Sequence, residues 1–334
     1  MPLLATVAMA AAIQSAALVP FVQSDIDAPG PHGPLRGTLL SAAAHDAPAS
    51  ASASASASAS ASATVPVVLI VPGSGPTDRN GNGPLVRTSA YRLLAEGLAS
   101  RGIASVRIDK RGMFGSASAI ADADDVSIDD YASDVHTWVT SIRQRTGASC
   151  VWVLGHSEGG LVALAAARET VDICGLVLVS TAGRPLAQVL KAQLKANPAN
   201  APVLDNAMSV LASLEAGTSV PARQIDPALL PLFRPSVQRF LMSELSLDPA
   251  ALLSGYAKPV LIVQGLRDLQ VTREDAERLQ RADPHAALAL VANANHVLKT
   301  VRTDDPSENI ATYTNPDLPL ADSIVDVISA FVRR

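Results

Sequence analysis

The stretch from Cys150 to Gly160, Cys-Val-Trp-Val-Leu-Gly-His-Ser-Glu-Gly-Gly, constrains this chain more than any other. Its apolar start reads as a short buried strand, and the small residues from Gly160 to Arg168 read as a helix. Between them, Gly155-His156-Ser157-Glu158-Gly159 sets a serine on a strand-to-helix turn, which is the context that makes G-x-S-x-G a nucleophile elbow. Such a turn strains the backbone at Ser157, and a Cβ at either flanking glycine would meet the neighbouring strand or helix. The strain holds the serine Oγ above the sheet edge. The bare pattern arises by chance often enough that its surroundings must carry the argument.

Those surroundings alternate strand and helix. Val65 to Val71 is a fully apolar, β-branched run, as buried parallel strands are. Helical segments are predicted at Ser89 to Arg101, Ile128 to Arg145 and 158–168, with strands at Ala104 to Ile108, 151–154 and Leu176 to Val179. A second set follows: strand Pro259 to Val263, helix 272–281, strand Ala287 to Val291 and helix Leu320 to Val332. Ahead of all of these, Leu18 to Ile26 and Leu35 to Ser41 read as a strand pair joined by a Pro- and Gly-rich turn. The pattern predicts an α/β class: a mainly parallel, doubly wound sheet with an N-terminal antiparallel pair.

One interval breaks the rhythm. The strand ending at Ser180 and the strand opening at Pro259 are 78 residues apart, far more than an ordinary connection. Helices at Leu186 to Ala196, Pro202 to Glu215 and Ser236 to Ser246 fill it, and a helical cap at 185–255, inserted after the sixth strand, is expected over the C-terminal sheet edge. Its apolar residues Leu211, Leu214, Leu229, Leu230, Leu232, Phe233, Phe240 and Leu241 suit an acyl pocket or the cap's own core. The remaining core is expected at 18–184 and 256–334. Within it, the sevenfold Ala-Ser repeat Ala49 to Ser62 reads as a flexible loop over 49–63, having no large side chain to bury.

A serine hydroxyl becomes a nucleophile only when an oriented base takes its proton. Downstream, Gln264-Gly265-Leu266-Arg267-Asp268 sets an aspartate just past a strand, and Asn295-His296 sets a histidine just past the next. That is the order nucleophile, acid, base expected on this type of sheet. Ser157, Asp268 and His296 are therefore the candidate catalytic residues. His32 and His45 lie in or beside turn and flexible segments, His136 lies inside a helix, His285 stands at the opposite strand end, and His156 suits support of the elbow. For an oxyanion, two aimed N–H donors are needed. Glu158, after the nucleophile, supplies one; Ser74, in the glycine-rich loop Pro72 to Gly83, is the candidate for the other. That loop lacks the Gly-Lys-Ser/Thr of a phosphate cradle. Asp109-Lys110-Arg111, after the neighbouring strand, is expected to brace the rim through Asp78 or Arg79.

Taken together, the blocks Gly73 to Asn82, Asp109 to Gly112, Gly155 to Gly160 and Gln264 to Asp268 make the chain resemble the α/β-hydrolase superfamily, in particular bacterial carboxylesterases and lysophospholipase- or serine-aminopeptidase-like members. The resemblance runs from about residue 18 to the end, outside the Ala-Ser repeat. It implies a serine hydrolase acting on carboxylic esters through an acyl-enzyme, with thioesterase and serine aminopeptidase as alternatives, or a non-catalytic binding module on the same fold. An aminopeptidase would need a cap acid, for which Glu215, Asp226 and Glu244 are available. The chain departs from many relatives in carrying Pro72-Gly73 where they carry His-Gly, which leaves the donor in that loop open.

Composition narrows the partners. A net charge of −5 without a basic block gives no footprint for nucleic acid. Neither a cofactor motif nor a metal-ligand spacing is present, so a small-molecule ester is the expected partner; oligomeric state is not readable. Cys150 and Cys174, the two cysteines, read as buried small apolar residues rather than a bridge. Leu3 to Val19 resembles a signal h-region, or else an unstructured segment over 1–17. It is too alanine-rich for a membrane span and lacks a charged flank before Arg36, so export and retention both stay open.

Overall fold

The computed structural model describes residues 21–43, 65–169 and 171–334. The run Leu3 to Val19 and the Ala-Ser repeat lie outside the described residues, as does the start of the predicted first strand. Eight strands form one sheet in the order β1-β2-β4-β3-β5-β6-β7-β8. They are β1 (Phe21–Ala28), β2 (Leu35–Ala42), β3 (Val67–Val71), β4 (Ala104–Ile108), β5 (Val151–His156), β6 (Ile173–Val179), β7 (Val260–Gly265) and β8 (Ala287–Val291). β2 runs antiparallel to both β1 and β4, and every other pairing is parallel. The α/β class and the strand pair are as the sequence predicts.

Period-two alternation deals each central strand to two cores. Val67, Leu69 and Val71 of β3 face one side, with Tyr131, Val135, Trp138 and Ile142 of α2 (Ile128–Thr146). Val68 and Ile70 face the other, with Leu94 and Leu98 of α1 (Ala90–Ala99) and with Ile328 and Phe331 near the C-terminus. α2 begins where the Ser127 side chain accepts from the Asp130 N–H and ends at Gly147, whose φ of 74° is the left-handed cap glycine tolerates. α3 (Glu158–Ala166) is buried along all nine residues, which accounts for its run of glycine, alanine and valine.

Five helices occupy the long interval between β6 and β7: α4 (Leu186–Ala196), α5 (Leu204–Glu215), α6 (Leu230–Phe233), α7 (Gln238–Leu245) and α8 (Pro249–Ser254). They hold a third apolar cluster, in which Leu211, Leu214, Leu229, Phe233 and Leu241 are buried and Leu230 and Leu232 pack against it. Phe240 turns instead toward the α2 side of the sheet. After β7 come α9 (Arg273–Ala282), β8, α10 (Pro306–Ala311) and α11 (Ile324–Val332). The last helix starts four residues later than predicted, because Leu320 bridges to Lys299 and Ser323 takes a left-handed φ of 70°. No helix among the described residues is long and apolar enough to cross a membrane.

The cysteine expectation is overturned: Cys150 and Cys174 form a disulfide, with Cα atoms 5.1 Å apart. The cause is strand adjacency. β5 and β6 are parallel hydrogen-bonded neighbours, so the residues entering them stand side by side. The bridge closes a separation of 24 residues that contains the whole elbow.

Candidate active site

Parallel strands bring their C-terminal ends to one edge. There the sheet delivers Ser74 after β3, Lys110 after β4, Ser157 after β5, Asp268 after β7 and His296 after β8. Ser157 adopts φ 55° and ψ −123°, the strained conformation expected of the elbow. A Cβ on Gly155 would stand 2.1 Å from the Gly159 carbonyl oxygen, and one on Gly159 would stand 2.4 Å from that of Val71. Neither neighbour is a side chain that can move aside, so both flanks require glycine.

The three candidate residues meet in a line of hydrogen bonds. Ser157 Oγ lies 3.1 Å from His296 Nε2, and His296 Nδ1 lies 2.8 Å from Asp268 Oδ2. Asp268 accepts at its other oxygen from the Gln270 and Val271 backbone N–H groups. Burial pushes this carboxyl up, but the His296 ring and the backbone donors outweigh burial and hold it below the usual carboxylate range. A carboxylate fixed in this way keeps the proton of His296 on Nδ1 and leaves Nε2 free to accept from the Ser157 hydroxyl.

His156, the variable residue of the motif, ties two loops together. Its Nε2 is 2.8 Å from the His296 carbonyl oxygen, and its Nδ1 is 2.9 Å from the Tyr91 hydroxyl. A carbonyl can only accept, so Nε2 carries the proton and Nδ1 accepts from Tyr91. The Tyr91 oxygen in turn accepts from the Gly73 N–H at 3.1 Å. Burial, then the neighbouring His296, lowers the His156 pKa to about 4, so the ring is neutral. With its own N–H engaged, Gly73 cannot donate to a ligand, which leaves Ser74 as the next donor of that loop. The loop lies against the nucleophile: a Cβ on Gly73 would stand 3.1 Å from the Ser157 Cβ. The Glu158 N–H sits in the first turn of α3, where backbone donors lack intrahelical partners.

Charged residues brace this edge from below. Arg79 is paired with Asp109, its Nε 2.9 Å from Oδ2, as the sequence suggests; Asp78 instead accepts from Asn80 and Asn82 within its own loop. Arg111 pairs with Asp134 of α2 at 2.6 Å. Lys110 is buried and donates to the Gly73 carbonyl at 2.8 Å and to Glu158 Oε1 at 3.0 Å, joining the glycine-rich loop to the elbow. The sequence suggests a bracing part for Lys110 and a supporting one for His156, but their partners, and the part of Tyr91 altogether, escape it, because each depends on contacts between distant segments.

Two cavities open on Ser157 and a third lies beside them. One of about 180 Å³ is walled by Ser157, His296, Tyr91 and Tyr313. A second, of about 210 Å³, is walled by Ser157, Thr181, Val189 and Gln270. The third, of about 380 Å³, runs under the inserted helices along Tyr131, Leu232, Phe240 and Leu241. Ser74 borders all three. A hydroxyl with a base behind it, amide donors beside it and space on either side can attack a carbonyl and hold the resulting oxyanion.

The family model described as serine aminopeptidase, S33, matches residues 86–300. The chain belongs to this family. The S33 match includes Ser157, Asp268, His296 and the inserted helices. Over 213 residues the chain is 30% identical to Esterase EstD of Thermotoga maritima, covering 63% of this chain and 48% of that protein. It thus spans about half the length of the curated relative it matches. Among solved structures, an esterase of Pyrococcus furiosus aligns at a TM-score of 0.55 and 15% identity, over 95% of this chain and 91% of that one. A thermophilic esterase of Thermogutta terrifontis aligns at 0.52 and 17%, over 93% and 98%. These likenesses establish the α/β-hydrolase fold.

Proposed function

We propose that the protein hydrolyses carboxylic esters of small molecules through an acyl-enzyme on Ser157. The observation that carries the reading is the continuous hydrogen-bonded line from Ser157 Oγ through His296 to Asp268, at 3.1 and 2.8 Å. Ser157 Oγ attacks the carbonyl carbon while His296 Nε2 takes its proton. The backbone N–H groups of Ser74 and Glu158 hold the oxyanion. His296 returns the proton to the leaving alcohol as the C–O bond breaks. Water, deprotonated by the same nitrogen, then attacks the acyl-enzyme, and the proton goes back to Ser157 as the acid departs. Asp268 stays ionised throughout and stabilises the imidazolium. The inserted helices act as the cap over this site. The esterase relatives support the ester as substrate.

A serine aminopeptidase is the second reading, favoured by the family's description and by a glutamate of α7, Glu244, that borders two of the cavities. Glu215, which is paired with Lys191, and Asp226, whose side chain accepts from the Ala228 N–H, border none of the three cavities. Burial, then the nearby Glu158, pushes the Glu244 carboxyl above the usual range, which disfavours the charged form that an ammonium would pair with. The esterase relative favours the ester as substrate. Labelling with a fluorophosphonate, peptide mapping and a p-nitrophenyl ester length series test the reading. Adduct on Ser157 with ester turnover is the expected result; a folded protein with neither overturns it.

A further inference from the structure

Glu244 is a buried carboxyl that forms no ion pair or hydrogen bond with the rest of the described chain, and it borders open space. Lys110, the nearest cation in its surroundings, is committed to Glu158 and to the Gly73 carbonyl. An acid left unpaired among leucines and a phenylalanine is costly unless something completes it. Leu232, Phe240 and Leu241 form the apolar wall beside it.

Which part of a substrate passes Glu244 follows from the chemistry at Ser157. The leaving oxygen must receive its proton from His296 Nε2, so the leaving group lies in the cavity that His296 walls. The acyl group then takes the other space on Ser157, the cavity bordered by Thr181 and Val189, and on under the cap. Glu244, Glu158, Leu186 and Leu190 border both of those spaces, so Glu244 stands at their junction.

We propose that the site selects acyl groups carrying an uncharged hydroxyl part-way along an otherwise apolar chain, with Glu244 as the specificity-determining partner of that hydroxyl. This inference rests on the ester-hydrolase reading and deepens it. A carboxyl accepts from a hydroxyl hydrogen in either protonation state, and burial, which pushes Glu244 up, favours the form that can also donate to the hydroxyl oxygen. An alkyl chain of the same length would leave the carboxyl unpaired, and sites built around a buried polar group reject analogues that lack its partner. The apolar wall beyond suits the chain's remainder.

The test compares kcat/KM for p-nitrophenyl octanoate with esters of the same length bearing a hydroxyl, or an amino group, stepped along the chain. The wild type is expected to favour a hydroxy ester at one chain position by about tenfold or more over the plain ester. Glu244→Leu, which removes the buried polar group without opening a large hole, should bring that ratio to about one. Glu244→Gln, which can still donate and accept, should keep most of it. Equal rates for plain and hydroxy esters, an unaltered ratio in Glu244→Leu, or a preference for the amino ester at pH 7 would each overturn the proposal. In all three cases the ester-hydrolase reading would stand, since esters would still be turned over. That reading fails separately, if no ester is cleaved and Ser157 takes no fluorophosphonate.

Discussion

His156 Nε2 donates to the carbonyl oxygen of His296 at 2.8 Å, across 140 residues of sequence. Through Tyr91 the same ring reaches Gly73, so the loop carrying the base and the loop carrying Ser74 are joined by one buried relay. His156 is a positioning residue that acts through the loops it joins.

Replacing His156 with phenylalanine leaves the His296 carbonyl without its donor and the Tyr91 hydroxyl without its acceptor. The expected cost is about 2 kcal/mol of stability, the usual size for a buried group losing its partner. Displaced loops should also lower kcat by roughly tenfold to a hundredfold while KM moves little. Tyr91→Phe breaks only the upper link and should cost less on both counts. Thermal melts and steady-state kinetics of the two variants check this.

Acid should withdraw the stability that His156 contributes. Its pKa is about 4 in the folded chain and about 6.5 when unfolded. Between those values the unfolded chain binds a proton that the folded one refuses. The stability from this group is complete above pH 6.5 and is lost as pH falls towards 4, at on the order of 1 kcal/mol per pH unit. Urea melts at stepped pH should show the wild type losing stability relative to His156→Phe by that slope, the difference between the two cancelling the terms they share, such as the raised Glu244 carboxyl.

Removing the nucleophile should separate chemistry from folding. Ser157→Ala is expected to lose roughly 10⁴-fold or more in kcat with an unchanged circular dichroism spectrum. Asp268→Asn should lose about 10⁴-fold, since the His296 ring would then favour the wrong tautomer. Ester hydrolysis at the wild-type rate in Ser157→Ala would remove the proposed mechanism.

Reducing the Cys150–Cys174 bridge should lower stability by about 3 kcal/mol, the loop-closure value for its span. Activity at 25 °C should persist, because the bridge joins the strand ends opposite Ser157. Melts and ester assays of Cys150→Ser with Cys174→Ser, against the oxidised wild type, give both numbers.

The sheet and the nucleophile line were legible because their signals are local. Val67 to Val71 announces a buried strand by itself, and Ser157, Asp268 and His296 each stand just past such a strand. The disulfide was misread because nothing near either cysteine says that their strands are neighbours; that is a property of strand order. Nothing local singles out Tyr91, and its hydroxyl gains meaning only when β5 brings His156 within reach. Glu244 was one of three available acids, and only the folded insertion separates it from Glu215, which has a lysine, and Asp226, which serves a turn.

The inserted helices bury their own apolar cluster, distinct from the two that sandwich the sheet. On the reading proposed above, selectivity then rests largely on a foundation separate from that of reactivity, the two meeting at Phe240, which packs with the sheet. A change among Leu211, Leu214 or Phe233 would reshape the walls that greet a substrate without loosening the strands that aim Ser157. The molecule behaves like a fixed tool with an exchangeable jaw, and recognition could be re-engineered there while the chemistry beneath stays still.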